Sequence, residues 1–146
     1  MPGQNLMLWC KKFWASLRSD PVLRLVRVTN LTRATTLASQ VLVAGSSKTR
    51  RKGLLGRSGL EPGEGIWIRP CESVHTFFMK FPIDVIYVDR RGKVKKAVSS
   101  IPAWRLSCCL TAHSVLEVAA GTIVSTQTRR GDVLQFLVIS EENDQN

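Results

Sequence analysis

The sequence is short of acid, of histidine and of the long apolar runs that would place it across a membrane. Only 11 of its 146 residues are Asp or Glu, against 21 Lys or Arg, and histidine occurs twice. The imbalance gives a formal charge of +10, which excludes an acidic, solvating chain. No apolar stretch approaches the ~18 residues that span a bilayer, so no transmembrane segment is expected. The four cysteines, Cys10, Cys71, Cys108 and Cys109, form no C-x-x-C pair, and His75 and His113 stand at no zinc-ligand spacing from them. Neither a metal site nor a cofactor is expected. A P-loop, a dinucleotide fingerprint, a nucleophile elbow and an H-E-x-x-H motif are all missing.

What is present is enough apolar chain, 44% of residues, to fill a single core without cross-links. Three parts are read: an N-terminal extension over 1–21, one domain over 22–140 and a polar tail over 141–146. In the extension Leu6, Trp9, Cys10, Phe13, Trp14 and Leu17 fall on one face at helical spacing, with Lys11, Lys12 and Arg18 mostly off it. Three readings stay open for this segment: a helix resting on a membrane surface, a helix docked on its own domain or a partner, or a disordered extension. Its apolar residues precede its lysines, the reverse of a cleavable signal, so the expected location is cytoplasmic or peripheral to a membrane.

The domain reads as mainly β. Short β-branched runs lie around 22–29, 37–44, 66–68, 75–88, 94–101, 115–119, 121–126 and 133–139, with a break at Phe81-Pro82. Asp89-Arg90-Arg91-Gly92-Lys93 is a hairpin turn. Ser46-Ser47 offers an N-cap to one short internal helix that ends at Gly56. The expected fold is an antiparallel β-sandwich or partly open barrel of jelly-roll-like type.

Alternation along Ile83-Asp84-Val85-Ile86-Tyr87-Val88 puts Asp84 on the face of Ile86 and Val88, and in Val115-Leu116-Glu117-Val118-Ala119 Glu117 shares a face with Val115 and Ala119. A carboxylate among apolar neighbours must be neutralised, hydrogen-bonded or paired, with Lys80, Arg57 and His75 as the plausible partners of Asp84, so both acids are candidates for chemistry, with His75 as a proton shuttle. The competing readings are a backbone cap for Asp84 and a rim salt bridge for Glu117. His75, Phe77, Met79 and Phe81 would share one strand face, as pocket lining or as core. Two basic clusters, Lys48 to Arg57 and Arg90 to Lys96, are solvated faces or sites for phosphate backbones and anionic headgroups.

Read in order, Lys52-Gly53-Leu54-Leu55-Gly56-Arg57, Gly63-Glu64-Gly65-Ile66-Trp67-Ile68, the run from Thr76 to Asp89, Val115 to Gly121 and Gly131-Asp132 resemble the prokaryotic domain of unknown function 192 family, also called uncharacterised protein family 0127. The resemblance covers roughly residues 24 to 139. It implies a compact β domain with one helix and no assigned reaction. Arg57, Met79, Lys80, Asp84, Glu117 and Asp132 match the family's characteristic positions, and they form the ligand-binding set expected here. Phe78 stands where the family usually carries Trp, and Phe81 where it carries Asn.

The leading expectation is a non-catalytic or cryptically catalytic small β domain that binds a small ligand or a peptide in a cleft near Lys80, Asp84 and Glu117. One alternative is a hydrolase or transferase in which Asp84 and Glu117 divide acid and base work. Another is a basic adaptor for nucleic acid or an anionic membrane surface.

Overall fold

The computed structural model describes residues 24–139. The N-terminal extension and the polar tail lie outside the described residues. Among the described residues nine strands and two short helices follow in chain order: β1 Leu25–Asn30, β2 Thr35–Ala44, α1 Ser47–Lys52, β3 Glu64–Ile68, β4 Ser73–His75, β5 Ile83–Val88, β6 Val94–Ile101, β7 Leu106–Cys108, β8 Ser114–Ala119, α2 Thr122–Thr126 and β9 Leu134–Val138. Seven strands form one sheet in the order β6-β5-β8-β3-β2-β1-β9, and β4 pairs with β7 in a second, small sheet. Neighbouring pairs are antiparallel except β2 and β3, which run parallel because the chain makes an excursion through α1 between them.

The large sheet curls until its two edges meet. Lys93 bridges Val133, the Val94 amide donates to the Asp132 carbonyl at 2.8 Å, and the Leu134 amide donates to the Gly92 carbonyl at 2.8 Å. The result is a half-open barrel, the partly open form that the strand pattern predicts. The hairpin at this seam forms as read from sequence: the Asp89 carboxylate accepts from the amides of Arg91 (2.9 Å) and Lys93 (3.0 Å), and Gly92 takes φ 80°. A Cβ on Gly92 would collide with the Leu134 carbonyl oxygen, so the edges can close only on glycine.

Two apolar cores lie on opposite faces of the sheet. One joins Val26, Val28, Val41, Ile86, Leu116, Val118 and Leu134 with Ile123 of α2. The other joins Leu42, Ile66, Ile68, Ile83, Val85, Tyr87 and Val115 with Leu54 and Val74, from the α1 excursion and the small sheet.

Three local expectations are corrected. Residues 121–126 form α2 rather than a strand: Gly121 turns the chain at φ 94°, and a distant carboxylate holds the helix amide of Ile123, overriding the β-branched propensity of the segment. Residues 76–82 are loop rather than strand, turned by the Met79 amide on the Thr76 carbonyl at 3.1 Å. Ser46 caps α1 as expected, in a capping box with Thr49, but the helix closes at Gly53, φ 45°, before Gly56.

Candidate functional site

Asp84 and Glu117 are both buried, at 0% and 6% exposure, and they stand on neighbouring strands. They do not share a site. In the β5–β8 ladder Asp84 pairs with Val118 and Val85 pairs with Glu117. Cross-strand partners point to one face and successive residues alternate, so the two carboxyls project from opposite sides of the sheet. The arrangement expected of a paired-carboxylate hydrolase or transferase is therefore absent.

Asp84 is fully engaged by main chain. One carboxylate oxygen accepts from the Ser100 amide and the other from the Ile123 amide, each at 2.7 Å. Ser100 lies in a bulge of β6, where the register shifts opposite Ile83 to Val85, and Ile123 is in the first turn of α2. One side chain thus secures a bulge and caps a helix, satisfying donors that neither element satisfies by itself. Lys80, Arg57 and His75, the partners expected from sequence, are not used.

Glu117 has no hydrogen bond or ion pair among the described residues. Burial pushes its carboxyl up to about 7. It lines a cavity of about 370 Å³ on the face that carries the second core, together with Arg50, Arg51, Cys71, His75, Met79 and Ile83. Leu54, Ile68, Val74 and Ile83 give the walls an apolar part, Ser73 and His75 a polar one, and the cations stand on α1. Cys71 donates to the Ser73 carbonyl at 3.1 Å, and burial raises its thiol above the usual value, with the nearby Glu117 adding to the effect. Such a thiol is a poor nucleophile at neutral pH. Gly65 pairs with Val118 beside the acid, and a Cβ there would come within 2.7 Å of the Glu117 carbonyl oxygen. Gly65 therefore lets β3 lie close to β8 beside the Glu117 backbone.

Of the ligand-binding set read from sequence, Met79 and Glu117 reach this cavity, and so does His75. The other members lie elsewhere. Arg57 is buried and bonds Glu64 at 3.1 Å, bracing the loop between α1 and β3. Lys80 is exposed on the 76–82 loop and does not line the cavity. Asp132 accepts on one oxygen from Asn30 (2.9 Å), Arg33 (3.1 Å) and the Arg129 amide (3.1 Å), beside the seam of the barrel. Burial alone would raise its pKa, but the bonds from Asn30, Arg33 and Arg129, with the charge of Arg33, outweigh it and hold the carboxyl below the usual range. Sequence reasoning named Arg50 and Arg51 only as members of a basic cluster and Cys71 only as a cysteine outside any metal-ligand spacing; it did not bring them to the cavity of Glu117. The available signal was the Ser46 cap, which sets the helix that carries both arginines.

Among the described residues no group of three or more His, Cys, Asp or Glu side chains could hold a metal ion, and no helix is long and apolar enough to cross a membrane.

The fold is a half-open, mainly β barrel. The chain belongs to the DUF192 family, described as "Uncharacterized ACR, COG1430", whose model matches residues 28–136. Two solved structures share the fold. A protein from Sinorhizobium meliloti 1021, described as a "putative transcription regulator", is 20% identical with a TM-score of 0.69, over 79% of this chain and 94% of that one. A "protein of unknown function" from Novosphingobium aromaticivorans DSM 12444 is 21% identical with a TM-score of 0.67, over 79% and 89%. At these identities the likeness is one of fold. Comparison with curated proteins finds no match.

Proposed function

We propose that this domain binds a small organic anion in the cavity floored by Glu117. The observation that carries the reading is a buried carboxyl aimed into a cavity with no partner among the described residues, a costly arrangement unless a ligand completes it. The lining defines the ligand by complement. Its hydroxyl or amine would meet Glu117, its short apolar body would lie against Leu54, Ile68, Val74 and Met79, and its carboxylate or phosphate would face Arg50 and Arg51. The volume is at the small end of ligand sites, which favours a metabolite-sized molecule over a peptide.

Thermal denaturation of the full chain with a panel of short hydroxy- and amino-carboxylates and phosphate monoesters tests this. A binder should raise the melting temperature, and the rise should vanish in Glu117→Gln and shrink in Arg50→Ala with Arg51→Ala. A rise that survives all three substitutions would place the ligand elsewhere.

A second reading rests on the same acid. A carboxyl with a pKa of about 7 is suited to general acid–base catalysis, and His75 lines the same cavity. This single-carboxyl chemistry replaces the two-carboxylate scheme, since Asp84 faces away.

A further inference from the structure

Beside the cavity, on the 76–82 and 102–105 loops, aromatic side chains are held outward on strained backbone. Phe78 is 72% exposed and Trp104 57%, and both take positive φ, 63° and 64°. Bulky residues rarely adopt that conformation, and it persists only where the surroundings enforce it. The enforcing element is Thr76, which is buried. Its hydroxyl donates to the Pro102 carbonyl at 2.7 Å and accepts from the Arg105 amide at 2.8 Å, its amide donates to the Arg105 carbonyl at 2.8 Å, and its carbonyl accepts from the Trp104 amide at 3.0 Å. One threonine thus fastens the two loops into a fixed projection. Their rings form a chain: His75 on Phe77 at 5.1 Å, Phe77 to Trp104 at 5.9 Å, and Phe78 edge-on to Trp104 at 4.6 Å. Leu106, 72% exposed, extends the patch opposite His75 in the β4–β7 ladder.

The charges around this projection have one sign. Lys80 and Arg105 sit in the two loops, and no acid occurs from Arg90 through Leu116. Glu72, the acid beside the small sheet, precedes β4, at the other end of the strand from the rings.

From these features we infer that the Phe77, Phe78, Trp104 and Leu106 projection inserts into the interface of an anionic lipid bilayer. Aromatic rings favour the headgroup boundary, an exposed Leu gains by leaving water, and Lys80 and Arg105 meet lipid phosphates. The rings lean on one another, and an aliphatic side chain completes the patch, which suits a hydrocarbon boundary better than stacked bases. His75 belongs to both the ring chain and the cavity lining, so docking would bring the cavity to the headgroup level. The inference does not depend on what fills the cavity.

Flotation of the full chain with phosphatidylcholine vesicles, with and without phosphatidylglycerol, tests the proposal. Binding should require the anionic lipid and weaken as salt rises. The double variant Phe78→Asn with Trp104→Asn should lose about tenfold or more in partitioning, since two apolar anchors are removed. Asparagine accepts left-handed backbone, so this variant should melt no lower than the parent. Leu106→Gln should give a smaller loss in the same direction. The proposal is overturned if the parent binds no vesicles, or if the double variant floats as the parent does while Trp9→Ser with Trp14→Ser abolishes flotation. It is equally overturned if the double variant instead loses binding to a single-stranded oligonucleotide that the parent prefers to vesicles, or converts a dimer to monomer.

Discussion

The two faces of the β5–β8 pair treat a buried acid in opposite ways. On one face Asp84 gives each of its oxygens to a backbone amide at 2.7 Å, tying the β6 bulge to α2. On the other, one register position away, Glu117 receives nothing among the described residues and sits in a cavity under α1. Burial is common to both, so burial is not what separates a structural acid from a candidate functional one. The supply of donors separates them. Where the chain brings amides to the carboxylate, the acid organises the fold; where it brings apolar walls and leaves space, the acid is available to a ligand.

The comparison is broken most forcefully at Asp84. Asp84→Ala should cost about 3–5 kcal/mol in chemical denaturation, because the buried Ile123 amide and the part-buried Ser100 amide both lose their acceptor. A loss below about 1 kcal/mol would mean that the bulge and α2 hold themselves.

Glu117→Gln should act in the reverse direction. The folded-state pKa of about 7 lies above the model value of 4.5, so the folded protein holds a proton that the unfolded chain releases. Stability should therefore fall as pH rises from about 4.5 to about 7, and the substitution should remove that decline, restoring up to about 3 kcal/mol above pH 7. Parallel urea titrations of parent and variant at pH 5 and pH 8 measure the difference. Identical pH dependence in the two proteins would show that the acid is not bare.

Asp132 sharpens the contrast from the satisfied side. Its pKa is held below the ordinary value, so its contribution is present above the unfolded pKa and is lost as pH falls through the folded one. Asp132→Ala should cost about 2 kcal/mol at pH 7 by freeing buried Asn30 and partly exposed Arg33, and less in acid, by the same denaturation assay. The smallest effect belongs to Arg51→Ala. This exposed helix residue should change stability by less than about 0.5 kcal/mol while reducing the thermal shift given by an anionic ligand.

Much of this was legible in advance. Period-two alternation identified β5 and β8 and marked Asp84 and Glu117 as acids among apolar neighbours, because strand geometry is a local property. The Asp89 to Lys93 hairpin and the Ser46 cap were equally readable, since each is closed by residues within four positions. What Asp84 does was not readable, because its donors lie 16 and 39 residues away. The α2 segment misled for the same reason: Thr122-Ile123-Val124 carries strand propensity, and the carboxylate that holds its first turn comes from another strand. Arg57, Lys80 and Asp132 matched the family pattern as a set, yet the fold sends them to a loop brace, an exposed loop and the barrel seam.

The amino-acid order alone determined that this is a basic, mainly β domain with two acids facing inward, because composition, alternation and turn chemistry act over a few residues. Only the folded chain decided that those acids face apart, that one is saturated by amides and that the other opens onto a cavity beneath Arg50 and Arg51. Register between strands and the arrival of distant donors are set by packing the whole sheet, and no short stretch of sequence contains them.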